Sequence, residues 1–131
     1  MEEPAQGLLE RVGISKRLDP AASVARLSGG ERQSIAIARA THLLARAIIL
    51  GEPTNNLGVE GTSGVLAFIR EATARGGSIL LVTHTIHHVM AVCDRAMVMR
   101  RGGVVAEHCV VETTVQRIEA DIMGVSTPHA A

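Results

Sequence analysis

Tryptophan and tyrosine are absent from these 131 residues, and Phe68 is the one aromatic side chain. Without aromatic platforms for bases, and with 13 basic residues balanced by 13 acidic ones, the sequence offers a nucleic-acid partner neither stacking nor a basic footprint. No apolar run approaches the ~18 residues that a membrane-spanning helix needs, so membrane contact is expected only through a partner. The opening MEEPAQG is acidic and lacks the basic start and apolar centre of a secretory signal, which makes the cytoplasm the default location. Cys93 and Cys109 form no C-x-x-C pair and read as free packing thiols rather than a disulfide or metal site. Lys16 is the sole lysine and follows Ser15, so the phosphate-cradling G-x-x-x-x-G-K-[ST] loop does not occur in these residues.

What is present fits one globular domain or a piece of one, with 47% hydrophobic and 20% charged residues. The stretch from Leu27 to Glu52, LSGGERQSIAIARATHLLARAIILGE, organises it. Ser28 and Glu31 have the spacing of a capping box, which ties off two amide donors at a helix start. Gly29 and Gly30 in that first turn each cost about 1 kcal/mol of helix propensity relative to alanine, so a compensating use is expected. Bare amides at the positive end of a helix dipole, beside a hydroxyl, suit an anionic group that must come close, phosphate above all. On these four residues alone, an ordinary capped helix is an equal alternative.

Along the chain, Leu8, Leu9 and Val12 give a short helix over Gln6 to Val12 that Gly13 stops, and Ile14 to Pro20, with Lys16, Arg17 and Asp19, reads as a loop. The helix from Gly29 to about Leu44 has apolar or small residues nearly all round and is expected to be buried. Ala47 to Leu50 is a continuous apolar run, the pattern of a parallel strand covered on both faces. Pro53 biases Glu52 towards an extended backbone and sets its carboxylate at the C-terminal end of that strand, where ligands bind in open α/β sheets. After turn chemistry at Asn55 to Gly58, a helix over Val59 to Arg75 turns Val65, Leu66 and Ile69 to one side and stops at Gly76 and Gly77. A second apolar strand, Ser78 to Thr83, ends at His84, and a helix follows from Ile86 to Cys93. Ala96 to Arg100 and Val104 to His108 then form a hairpin through Arg101, Gly102 and Gly103. Thr113 and Gln116 make a second capping box for a last helix that Gly124 closes, and Val125 to Ala131 is expected to fray. Alternating strands and helices without a repeat give an α/β architecture.

LSGGERQSIAIARA is similar to the signature motif of the ATP-binding cassette (ABC) ATPases. Ala47-Ile48-Ile49-Leu50 runs into Gly51-Glu52-Pro53-Thr54 where that family has an apolar strand followed by Asp-Glu-Pro-Thr. The resemblance spans about residue 5 to about residue 123, roughly the C-terminal half of such a domain. It implies a partial P-loop NTPase-type α/β domain over residues 1–124, with a mostly parallel sheet, flanking helices and a C-terminal hairpin. Residues up to about 45 would end the helical subdomain and form the signature helix, and about 46–124 would belong to the catalytic core.

The resemblance further implies ATP and Mg²⁺ as cofactors, with Leu27, Ser28, Gly29, Gly30 and Glu31 presented to ATP held by a partner domain. Glu52 would orient the water that attacks the γ-phosphate, and His84 matches the switch histidine that contacts this phosphate. Leu57-Gly58-Val59 stands at the D-loop, usually Leu-Asp, in a form like that of sugar-importer ATPases. Gly51 departs from the pattern, because the family places there the aspartate that holds Mg²⁺, so hydrolysis is expected to be weakened. The partners implied are a second ABC ATPase domain and transmembrane permease subunits, which would hold the chain at the inner face of the cell membrane. The expectation is an ATP-binding subunit of a sugar or small-solute importer, truncated at its N-terminus and inactive alone. The alternative is a non-catalytic module that presents LSGGE to a partner's ATP site. A third reading, metal binding by His84, His87 and His88 at i, i+3, i+4 spacing, is disfavoured because no Cys, Asp or Glu lies within the cluster.

Overall fold

The computed structural model describes residues 2–11, 17–19, 21–42 and 46–125, which fall into two compact units, Met1–Val82 and Thr83–Ala131. The first holds helix α1 (Glu2–Arg11), helix α2 (Gly29–His42), strand β1 (Ala47–Gly51), helix α3 (Val59–Ala74) and strand β2 (Ser78–Val82). Helix α1 begins before the expected Gln6, since Pro4 in a first turn lacks only an amide that would have no partner within the helix. Val12 and Gly13, the loop residues Ile14 to Lys16 and Pro20, the far end of the signature helix at Leu43 and Leu44, and the tail beyond Val125 lie outside the described residues.

Helix α2 starts where the capping pattern puts it. It is not buried all round: Gly29, Arg32, Ala36 and Arg39 form an exposed stripe, while Ser34, Ile37 and Ala38 are buried. Two arginines on one helical stripe keep that side in water, and the small residues opposite let neighbouring elements come close. In α3 the buried side chains are Val65, Phe68 and Ile69, so the single aromatic takes the place expected for Leu66.

β1 and β2 pair in parallel, with Ile49 opposite Leu80 and Gly51 opposite Val82. Helix α3 connects the strands and packs beside β2. Because successive side chains point to opposite faces, Ile48, Leu50, Ile79 and Leu81 share one side, which is buried or half-buried. The other side is open, with Ile49 74%, Leu80 59% and Val82 54% exposed. Coverage on both faces is therefore not found among the described residues. Apolar runs show which faces a strand can bury, and α3 lies against β2 without closing the second face.

The second unit holds helix α4 (Ile86–Val92), strand β3 (Arg95–Arg100), strand β4 (Gly103–Cys109) and helix α5 (Val115–Met123). β3 and β4 form an antiparallel hairpin whose turn is Arg101 and Gly102 alone, at φ 51° and 81°, with Gly103 already in β4. Two consecutive positive-φ residues match the twist of the flanking strands. Ala96, Val98, Val110 and Ile118 form a core against which Ile86, Val89, Met90, Cys93 and Ala106 pack. Burial, then the neighbouring Asp94 carboxylate, pushes the Cys93 thiol up, so it packs as a neutral group.

Helix α5 is capped one residue later than expected. Thr114, not Thr113, is its N-cap, accepting from the Arg117 amide, while the Thr113 hydroxyl lies 3.4 Å from Nδ1 of His108. Nε2 of that imidazole lies 2.6 Å from Oδ2 of Asp121, a carboxylate only 8% exposed, so one histidine links β4, the turn before α5 and α5 itself. Gly124 closes the helix at φ 75°.

The 131-residue chain is expected to self-associate through its open sheet face in a concentration-dependent way. Changing the registered pair together, Ile49→Lys with Leu80→Glu, should shift its sedimentation to monomer, and an unchanged distribution would count against this role for the face. His108→Ala should lower stability by about 3 kcal/mol in denaturant titration, because Asp121 stays buried after the imidazole is gone. A loss below about 0.5 kcal/mol, the scale of an exposed pair, would show that the link carries no stability.

Candidate functional site

The start of α2 carries the first group of site residues. Oε2 of Glu31 accepts from the Ser28 amide at 2.8 Å, and the Ser28 hydroxyl accepts from the Glu31 amide at 3.2 Å. Both halves of the capping box are thus formed, and it leaves the amides of Gly29 and Gly30 aside. The two glycines differ. A Cβ on Gly29 would meet nothing within 4 Å, so its surroundings are open. A Cβ on Gly30 would come within 2.8 Å of Cδ2 of Leu57 and 3.4 Å of the Asn56 carbonyl oxygen. Gly30 therefore serves close packing between α2 and the loop after β1, a use that the sequence does not separate from ligand access. Leu27 is half-buried, with its amide donating to the Val24 carbonyl at 3.2 Å.

That loop carries the second group. Glu52 follows β1 directly and is half-buried. It is not extended: its φ is 45°, in the left-handed region. The proline after it disfavours the right-handed helical region and by itself favours an extended backbone, so the left-handed form is held against that bias by the bonds around Glu52. The Glu52 amide donates to the Val82 carbonyl at 2.7 Å and so adds a rung beyond Gly51. Its carbonyl accepts from the Asn55 amide at 3.1 Å and from Nε2 of Gln33 at 3.2 Å. Pro53 is fully buried behind it. Asn56 also has a positive φ, 62°, whereas Gly58 is extended at φ −70° and serves as the N-cap residue of α3. A Cβ at either Gly51 or Gly58 would meet nothing within 4 Å.

The first unit therefore brings together the α2 start, Glu52 and the Leu57–Gly58 turn. Gln33 is the member that sequence reasoning missed; its signal is a long amide side chain inside a helix of small residues. His84 lies in the second unit, on the bend between β2 and α4. There the Thr83 hydroxyl accepts from the Thr85 amide at 3.1 Å, a local turn that leaves His84 exposed. His87 and His88 lie in α4, one exposed and one half-buried, and no group of three His, Cys, Asp or Glu among the described residues is placed to hold a metal ion.

The open, glycine-bearing helix start fits an anionic group. The C-terminal end of β1 does not fit Mg²⁺ in the manner that the resemblance implies, because Gly51 offers no side-chain oxygen.

The family profile described as ABC transporter matches residues 1–55. An arabinose import ATP-binding protein of Rhizobium johnstonii is 37% identical over 123 residues, covering 93% of this chain and 24% of that protein. A fructose import ATP-binding protein of Rhizobium meliloti is 37% identical over 102 residues, 78% of this chain and 39% of that protein. The chain thus spans about a quarter to two-fifths of the length of these curated relatives. Among solved structures, a dimeric bacterial ABC transporter cassette superposes with a TM-score of 0.73 at 24% identity, over 82% of this chain and 46% of that one. An ATP-binding subunit of an ABC transporter superposes with a TM-score of 0.78 at 23% identity, over 93% of this chain and 54% of that one. At these identities the two structures speak for the fold.

The contrast between the glycines can be measured. Gly29→Ala should stabilise the chain by about 0.5–1 kcal/mol in thermal or denaturant melting, since the methyl meets open space in a helix. Gly30→Ala should give no such gain, because Leu57 must turn away. Equal gains at both positions would show that α2 does not pack closely on Leu57.

Proposed function

Because the chain belongs to the ATP-binding cassette family of transporter ATPases, we propose that it forms the C-terminal portion of an ATP-binding subunit for importing a sugar or similar small solute. The observation that supports this most is the packing of the LSGGE helix start onto the loop of Glu52, through Gly30 against Leu57 and Gln33 on the Glu52 carbonyl. In this reading the residues up to about 45 end the helical subdomain, and residues 46–124 belong to the catalytic core.

Each residue has a task set by its position. Ser28 and the amides of Gly29 and Gly30 bind the phosphates of ATP held by a second ATPase domain, whose charge the helix N-terminus favours. Glu52, at the C-terminal end of β1, orients the attacking water and takes its proton, help worth about 10²–10⁴-fold. His84, presented by its threonine-flanked bend, hydrogen-bonds the γ-phosphate. Gly58 lets the turn before α3 meet the opposed domain. ATP, when bound, supplies the phosphoanhydride. A P-loop outside these residues holds it, and permease subunits hold the assembly at the cytoplasmic face of the membrane. No helix among the described residues is long and apolar enough to cross a membrane by itself.

Gly51 favours a second reading, in which the chain presents LSGGE to a partner's ATP without hydrolysing its own. Joining the chain to the part of the arabinose import relative that it does not span, chosen to include a G-x-x-x-x-G-K-[ST] loop, separates the two. The joined domain should bind Mg-ATP and turn it over slowly. Gly51→Asp, whose Cβ would meet nothing within 4 Å, should raise turnover about tenfold or more, and adding Glu52→Gln should remove that gain. Ser28→Arg should reduce nucleotide-dependent dimerisation and leave nucleotide affinity of the monomer unchanged. Equal turnover with Gly and Asp at position 51 would overturn the carboxylate assignment. Micromolar Mg-ATP affinity of the 131-residue chain alone, in calorimetry, would overturn the dependence on an outside P-loop.

A further inference from the structure

We infer that Gln33 is a positioning residue for Glu52, an inference that rests on Glu52 being the water-orienting carboxylate. Its side-chain amide holds the Glu52 backbone in the left-handed form and thereby fixes where the carboxylate leaves the chain.

A residue with a Cβ at φ 45° carries a cost of order 1–3 kcal/mol and keeps that conformation only where its surroundings determine it. Hydrogen bonds on the Glu52 amide and carbonyl contribute to this. Its amide donates to the Val82 carbonyl at 2.7 Å, and its carbonyl accepts from the Asn55 amide at 3.1 Å. Both of these are backbone bonds that any residue but proline could make at position 52. The third is different. Nε2 of Gln33 reaches the same carbonyl at 3.2 Å from another element, α2, across 19 positions of sequence. A carbonyl with two donors on it has its plane fixed, and the Glu52 side chain follows from that plane.

The source of the third bond gives it meaning. Gln33 lies one and a half turns along α2 from Ser28, beside the buried Ser34. The same end of the helix touches the same loop at Gly30 and Leu57, where even a methyl group would crowd the leucine. The turn that faces a partner's phosphate and the loop that carries the carboxylate are thus joined at two points, one apolar and one hydrogen-bonded. A displacement of the first turn of α2 is passed to Glu52 through Gln33.

The test uses two replacements of similar length and similar helix propensity: Gln33→Met lacks the donor, and Gln33→Lys keeps an N–H. In the 131-residue chain, amide exchange at Glu52 and Asn55 and the HN–Hα coupling of Glu52 are read by NMR. Gln33→Met should speed exchange about 2- to 10-fold and shift the coupling away from its left-handed value, and Gln33→Lys should stay near the native values. In the joined domain carrying Gly51→Asp, Gln33→Met should lower kcat about tenfold with KM unchanged, and Gln33→Lys should restore it. Unchanged exchange and coupling in Gln33→Met would overturn the positioning role. So would an unchanged kcat in a domain where Glu52→Gln abolishes turnover. Should Glu52→Gln itself leave turnover intact, the assignment of Glu52 fails, and this inference with it.

Discussion

The parallel ladder of β1 and β2 does not stop at the last paired residue. It continues for one bond, from the Glu52 amide to the Val82 carbonyl, and the first unit depends on what that bond forces. With the amide committed to the sheet and a proline next in the chain, the backbone has few ways to leave the strand. It leaves in the left-handed region, which turns the carbonyl towards α2 and buries Pro53. A glycine would adopt this backbone at no cost but would bring no carboxylate. In the proposed reading this residue has a chemical task, and such residues are where sequence-level consistency is expected to fail.

The second unit is built on another economy. Four short elements supply a core of small and medium aliphatic residues, and none of its described positions is filled by an aromatic ring. Shape is set by polar fixtures instead: a two-residue positive-φ turn at one end of the hairpin and the His108–Asp121 contact near the other. A buried pair of this kind adds little net attraction once desolvation is counted, yet it admits few alternative arrangements. It holds α5 to β4 in one register, where aliphatic contacts alone would allow sliding.

What the sequence made legible follows the range of the interactions concerned. The Ser28–Glu31 box was readable in both halves, because its atoms are three residues apart and need nothing else. The strands before Glu52 and His84 were readable from apolar runs to within one residue, β1 running on to Gly51 and β2 ending at Val82, short of Thr83. The cap of α5 was missed by one residue because Thr113 is drawn to His108, a contact set by tertiary structure. The handedness of Glu52 escaped because a following proline favours the extended backbone, and the bonds that override it come from Val82 and from α2, outside the local sequence. The exposed stripe of α2 is marked by Arg32 and Arg39 and escaped because the alanines and isoleucines between them suggest burial all round. The open face of the sheet escaped because hydrophobicity says what a strand can bury, while cover is supplied by other elements.

That open face, Ile49, Leu80 and Val82, also means that covering it would lengthen the lifetime of the chain. A partner that covers the face binds the folded form and not the unfolded one, so it adds stability by mass action, about 2.7 kcal/mol at a hundredfold excess over its dissociation constant. The fraction of time spent unfolded, on which proteases and chaperones act, falls in the same proportion. Abundance in a cell would then track the supply of the covering partner, and copies made in excess of it would be the first to be cleared.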